Sequence, residues 1–271
     1  MDRFWGKCMF QRAVPIICLL ATAAASAAPQ YVKSDQAATA RIRSLIVDGR
    51  CQEAVEALKV GVKAKQRDVL LLAGSMYEEG LCMASNWDKA ARLYALADEA
   101  GNGAGIPRLI AGYAKAGRDN GLALWWLAKS SSRKDFPQQC IPRADPDTDA
   151  DGFNGELERM PASLFQGCVY LVGVVTELST QAQYPSVALR RGLWGSYVMK
   201  FGANDAAITW RQSGVTQDTS QRRGGPDLEE RDLLLSYLQA KSNFALSQYK
   251  RPEGVFDPAL TVEREFVFDL R

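Results

Sequence analysis

Three glycines, Gly49, Gly80 and Gly117, close successive helical patterns at intervals of 31 (80 − 49) and 37 (117 − 80) residues. No other feature constrains the fold as much. A unit of this length cannot bury its apolar face alone, so it stacks on its neighbours. In the middle copy, Leu72-Ala73-Gly74-Ser75-Met76-Tyr77-Glu78-Glu79-Gly80 ends one helix, and Asp88 to Ala97 forms the next, closed by Gly101. The following copy runs from Leu109 to Gly117 and then from Gly121 to Ala128. The earlier copy is degenerate: Leu45 to Gly49, then Glu53 to Leu58. Gly74 and Gly112 permit close helix approach. Tyr77, Tyr94 and Tyr113 fill the space between helices, and Gly80 and Gly117 accept the positive φ that ends a helix. Trp125 and Trp126 are adjacent, so they face different sides of their helix.

The leucine-glycine-tyrosine-glycine, lysine-alanine and tyrosine-alanine pattern of Leu72 to Gly101 resembles the Sel-one-like family of tetratricopeptide-related repeats. The resemblance covers residues 28–133. It implies a helical-repeat solenoid that contacts other proteins, usually through its concave face.

Ahead of the repeats, Arg3, Lys7 and Arg12 precede an apolar run, Ala13 to Ala24, and the small residues Ala25-Ser26-Ala27. This is the pattern of a secretory signal peptide, 1–27. The alternative is an uncleaved anchor, although the run falls short of the roughly 20 residues that span a bilayer. Cleavage removes three basic residues and Asp2, a net +2. The whole chain carries +2, so the remainder is near neutral. No basic stripe survives to hold phosphates, which argues against a nucleic-acid partner. A cleaved signal also leaves no membrane span.

Cleavage takes Cys8 and Cys18 with it and leaves four of six cysteines. An even number in an exported chain predicts two disulfides. Cys51 and Cys82 each follow a turn glycine by two residues. Equivalent points of stacked repeats lie about 10 Å apart, beyond disulfide reach. The longer turn after Gly80 can fold back, so the expected pairs are Cys51–Cys82 and Cys140–Cys168. The chain has no histidine. The usual general base, the histidine-activated nucleophiles and the commonest zinc ligand are therefore absent. No catalytic residues and no cofactor are assigned. A carboxylate-based hydrolase is the enzymatic reading left open, to be revived by a close, buried carboxylate pair in a cleft.

Residues 134–179 read as an irregular, acidic, disulfide-linked connector broken by Pro137, Pro142 and Pro146. Within it, Asp147, Asp149, Asp151, Gly152 and Glu158 match the spacing of a calcium loop. Pro146 argues against an entering helix, so a solvated acidic loop is the competing reading. Cys168 to Val175 is an apolar run that suits either a strand or the start of a buried helix.

From Tyr184 the elements are a short helix after Pro185, a strand from Trp194 to Phe201, and a turn at Gly202 to Asp205. A strand from Ala207 to Gln212, a helix from Leu228 to Ser247 and a strand from Val262 to Leu270 complete them. The helix has Leu233, Leu234, Tyr237, Leu238 and Phe244 on its apolar side. Tyr184-Pro185, Ala188, Gly192 and Gly195, with Tyr249 and Pro252 before the last strand, resemble the TonB C-terminal domain over residues 180–271. The resemblance implies a small mixed domain with a short antiparallel sheet that adds an extended peptide to its edge. The expected binding edge is Val262, Arg264, Phe266, Phe268 and Leu270. Its charges Glu263, Arg264, Glu265 and Asp269 serve equally as guards against unwanted pairing. Energy-transducing TonB proteins have a membrane anchor and a long proline-rich spacer, which this sequence departs from. The expected class is α + (α+β), and the expected role is a non-enzymatic periplasmic adaptor for other envelope proteins. A TonB-family energy transducer with an uncleaved anchor is the alternative.

Overall fold

Positive φ at Gly49, Gly80, Gly101 and Gly117 punctuates the first half of the chain. This left-handed conformation costs glycine little and other residues more, so each glycine stops a helix cleanly. The structure, a computed structural model, describes residues 27–190, 193–214 and 228–268. These stops, together with a positive φ of 52° at Lys65 between α2 and α3, separate α1 (Ala27–Val47), α2 (Cys51–Lys63), α3 (Arg67–Glu79), α4 (Trp87–Glu99), α5 (Gly105–Tyr113) and α6 (Asn120–Lys129). The expected signal segment lies almost entirely outside the described residues.

Side-chain caps fix several helix starts. Asn86 accepts the Lys89 N–H at 2.9 Å, and Asp119 accepts from Gly121 and Leu122. At Gly74 a Cβ would sit 2.4 Å from the Tyr94 ring, so glycine permits α3 and α4 to touch. Tyr94 is fully buried there, while Tyr77 and Tyr113 are half-buried. Gly112 meets Trp87 rather than a tyrosine: a Cβ would lie 1.9 Å from that indole. Trp126 packs on the main core, and Trp125 stands edge-on to it at 4.8 Å.

Both expected cysteine pairs are disulfides, the first where the longer turn after Gly80 folds back and the second as the remaining pair. Cys51–Cys82 has a Cα separation of 5.0 Å, and Cys140–Cys168 one of 5.3 Å. Cys82 takes φ 59°, which turns the longer loop back onto α2. The pairs fit an oxidising, extracytoplasmic compartment.

The expectation of an irregular connector over 134–179 is corrected. Two 3₁₀ turns (Ser131–Asp135 and Gln138–Cys140) lead into α7 (Ala150–Arg159) and the 20-residue α8 (Ala162–Gln181). Every residue of α8 from Gly167 to Leu178 is buried. A helix covered on all sides needs no polar face, so the 3.6-residue period that marks a surface helix is missing. Cys168 to Val175 is therefore helix, not strand. The segment Ala162–Arg190 is long and apolar enough to cross a membrane by length and composition, but 67% of its most apolar window is buried inside the fold. A core helix has the same composition.

The C-terminal elements follow the expected order: α9 (Ser186–Arg190), β1 (Gly195–Gly202), β2 (Thr209–Gly214), α10 (Leu228–Ser247) and β3 (Thr261–Phe268). The sheet is antiparallel, ordered β2-β1-β3. In β1, Tyr197, Met199 and Phe201 alternate inward. In α10, Leu234, Leu238, Ser242 and Ala245 are buried, whereas Phe244 is 44% exposed and lies off the apolar side expected to include it. One hydrophobic cluster joins Ile110 of α5, Leu124 of α6, Leu171 and Val175 of α8, and Phe201 and Val262 of the sheet. At roughly 1.5–3 kcal/mol for each large side chain buried, this shared core fastens the helical half to the sheet. Gly173 marks the tightest point, since a Cβ there would lie 2.5 Å from the Tyr249 ring and 2.9 Å from Ala114 Cβ.

Candidate protein-interaction surfaces

β3 is an edge strand: it pairs with β1 on one side, and among the described residues no backbone hydrogen bond reaches its other side. The side chains expected to meet a partner are used otherwise. Val262 and Phe268 are buried, and Phe266 stands edge-on to Trp210 at 5.3 Å. Arg264 donates to Ser179 Oγ at 3.1 Å and lies 3.9 Å from Asp135. These four face the core because pleating sends alternate residues to one side. Leu270 and Asp269 lie outside the described residues. On the opposite face, Glu263 pairs with Arg211 at 3.5 Å and Glu265 accepts from Ser213 at 2.7 Å, so both acids lean across β1. Val267 stays 63% exposed. What β3 offers a partner is its backbone.

The four candidate calcium ligands do not converge. Asp149 caps α7 by accepting the Gly152 N–H at 2.9 Å. From Ala150 onward the candidate loop is helical, which places Asp151 in the first turn of α7 and Glu158 near its end. Asp147 turns to Lys129 at 2.5 Å. A calcium loop must coil around the ion, and a regular helix cannot bring these four carboxylates together. Among the described residues no group of three acidic, cysteine or histidine side chains is placed to hold a metal.

Two features were not foreseen. The first is a groove of about 300 Å³ between α2 and α4. Val55, Leu58 and Val62 line one wall, and Leu93 and Leu96 the other. Ala73 and Tyr77 of α3 form the floor, with Met83 at one end. Lys59, Lys89 and Arg92 stand along the walls, and none of the lining residues is acidic. Lys59 pairs with Glu56 at 2.8 Å, and Lys89 lies 5.3 Å above the Tyr77 ring.

The second is a buried ionic cluster at the junction of the two halves. Lys115 Nζ lies 3.0 Å from Glu78 and 3.8 Å from Glu177. Arg118 reaches Glu78 at 3.3 Å and sits 3.9 Å over the Trp87 ring. Tyr94 donates to Glu78 at 2.9 Å, and Tyr249 donates to the Ala111 carbonyl at 2.7 Å. Burial opposes ionisation of Glu78, but the charge and hydrogen bond of Lys115, with Tyr94 and Arg118, hold it below the ordinary carboxylate value. Burial, then the charge of Glu78, pushes Tyr94 upward; burial, then Glu177 and Glu78, does the same for Tyr249. Glu78 and Glu177 share Lys115, and each is also engaged by hydrogen bonds. The neighbouring cavity of about 150 Å³, lined by Asn120, Tyr170 and Tyr249 among others, does not include either glutamate.

Neither feature stands out in sequence. Glu78 precedes a helix stop, where an acid reads as solvated, and a groove exists only once three helices are placed. No family model, curated protein or solved structure matches the chain.

Proposed function

We propose that the protein is a non-enzymatic periplasmic adaptor, exported through a cleaved signal, that binds an extended peptide from another envelope protein along β3. The observation that carries this reading is the open backbone edge of β3 in a sheet whose inner face is fixed to α8. An edge of this kind supplies a row of donors and acceptors to an added strand. On this reading α1 to α6 form Sel-one-like repeats and α9 to β3 a TonB C-terminal-like module. The helix, strand, strand, helix, strand order supports the second assignment. The engagement of Glu78 and Glu177 by cations supports a structural role for them over a hydrolytic one.

The test is selection of random seven-residue peptides on the full chain, followed by amide hydrogen exchange. A peptide that adds as a strand slows exchange of alternate β3 amides. Selected peptides that leave β3 unprotected overturn the reading. The same element order also favours a TonB-family transducer. N-terminal sequencing of the protein from envelope fractions separates the two, since a start near Ala28 in the soluble fraction excludes the transducer.

A further inference from the structure

We infer that the groove between α2 and α4 is a second binding site, which seats about two turns of an amphipathic helix with acidic flanks from a partner protein. The site is independent of the β3 edge. Three observations carry the inference.

The first is periodicity. On α2 the wall positions are 55, 58, 59 and 62, and on α4 they are 89, 92, 93 and 96. Both sets follow the i, i+3, i+4, i+7 spacing of a single helix face. Each helix therefore presents a continuous face to the gap over about two turns, or roughly 10 Å at 1.5 Å per residue. α2 and α4 both pack on α3, and between them Tyr77 of α3 stays partly exposed. An apolar helix face is the shape that such a trough complements.

The second is uncovered apolar surface. Leu96 is 41% exposed at the mouth, and Val55, Val62 and Leu93 are only partly buried. The third is charge. Cations stand on both walls with no acid among the lining residues. Lys89 and Arg92 form no ion pair among the described residues, although Lys89 also lies over the Tyr77 ring. The segment 1–26 of this chain, which carries Arg3, Lys7 and Arg12 against Asp2, has the wrong sign to fill the groove. Acidic flanks have the right one.

The test uses the full oxidised chain with methyl-labelled Val, Leu and Met. The probe is a 14-residue helical peptide with leucines at i, i+3 and i+7 and glutamates at both flanks. A lysine-flanked twin and oleate are run beside it. The expected result is that the glutamate peptide shifts the methyl signals of Val55, Val62, Leu93 and Leu96 and leaves the β3 amides unmoved. The lysine twin binds at least tenfold more weakly. Both cations are exposed, so K89E/R92E folds. It weakens the glutamate peptide about tenfold and favours the lysine twin. Equal binding of the two peptides, binding of neither, or tighter binding of oleate at the same methyls overturns the inference. Shifts confined to β3 also overturn it and leave the edge reading intact.

Discussion

Lys115→Met removes the one cation that both buried glutamates share. The substitution keeps most of the aliphatic stem, so packing changes little and the measured effect is electrostatic. With an effective dielectric of about 20, contacts at 3.0 and 3.8 Å correspond to gross attractions of roughly 4–6 kcal/mol each. Desolvation of the charged groups cancels much of that. Removing one partner of a buried pair costs about 3–5 kcal/mol, because the remaining charge stays buried and uncompensated. Lys115 retains 22% side-chain exposure, and Arg118 still holds Glu78 at 3.3 Å, so the lower end applies. The expected loss is about 3 kcal/mol at pH 7, or a fall in melting temperature of about 6–12 °C.

The pH dependence makes the test specific. In the wild type the folded-state pKa of Glu78 is lowered. Its contribution is therefore complete above the unfolded value of about 4.3 and is lost as pH falls through the folded value. In Lys115→Met, burial acts on Glu78 with less opposition, so its pKa rises and protonation relieves the variant before it reaches pH 4. The difference between variant and wild type should shrink between pH 7 and pH 4. Urea denaturation followed by tryptophan fluorescence at four pH values reads this directly. A loss below about 1 kcal/mol, or a difference that stays constant with pH, would refute the account of the cluster.

Three further outcomes are expected. Gly112→Ala places a methyl against the Trp87 indole and should cost about 1–3 kcal/mol by overpacking, despite alanine's better helix propensity, as read by the denaturation midpoint. Graded reduction followed by mass mapping should open Cys51–Cys82 first, because both its cysteines are partly exposed while Cys140 and Cys168 are fully buried; loss of either bridge should cost about 3–4 kcal/mol from loops near 30 residues. Asp149→Ala should lose about 1 kcal/mol by uncapping α7, and calcium at millimolar concentration should leave the melting temperature of both proteins unchanged.

The sequence made the helix pairs, the Cys51–Cys82 bridge and α10 legible because each is written locally, and left Cys140–Cys168 as the remaining pair. Glycines stop helices, turn length decides reach, and Leu228 to Ser247 recovers α10 at both ends. It hid α8 because a helix buried on every side loses its polar stripe, and the eight residues from Cys168 to Val175 read equally well as a strand. The calcium-loop spacing is ambiguous for a related reason. Asp149 has one local partner, the Gly152 N–H, and a helix cap needs the same short-range oxygen that a loop ligand would supply. At the candidate sites, β3 was placed correctly as an edge strand, but register decides which face Val262 and Phe268 take. The α2–α4 groove depends on two helices that are not neighbours in sequence and on what does not fill the space between them.

Among the described residues the four cysteines pair in the order in which they occur, Cys51 with Cys82 and Cys140 with Cys168, across 31 and 28 residues. A chain threaded through a membrane amino end first would expose Cys82 while Cys51 is its sole available mate in the described region. That bridge can close before Cys140 emerges. A simple oxidant acting on each thiol pair as it appears would then deliver the native connectivity, and no reshuffling catalyst would be required to reach it.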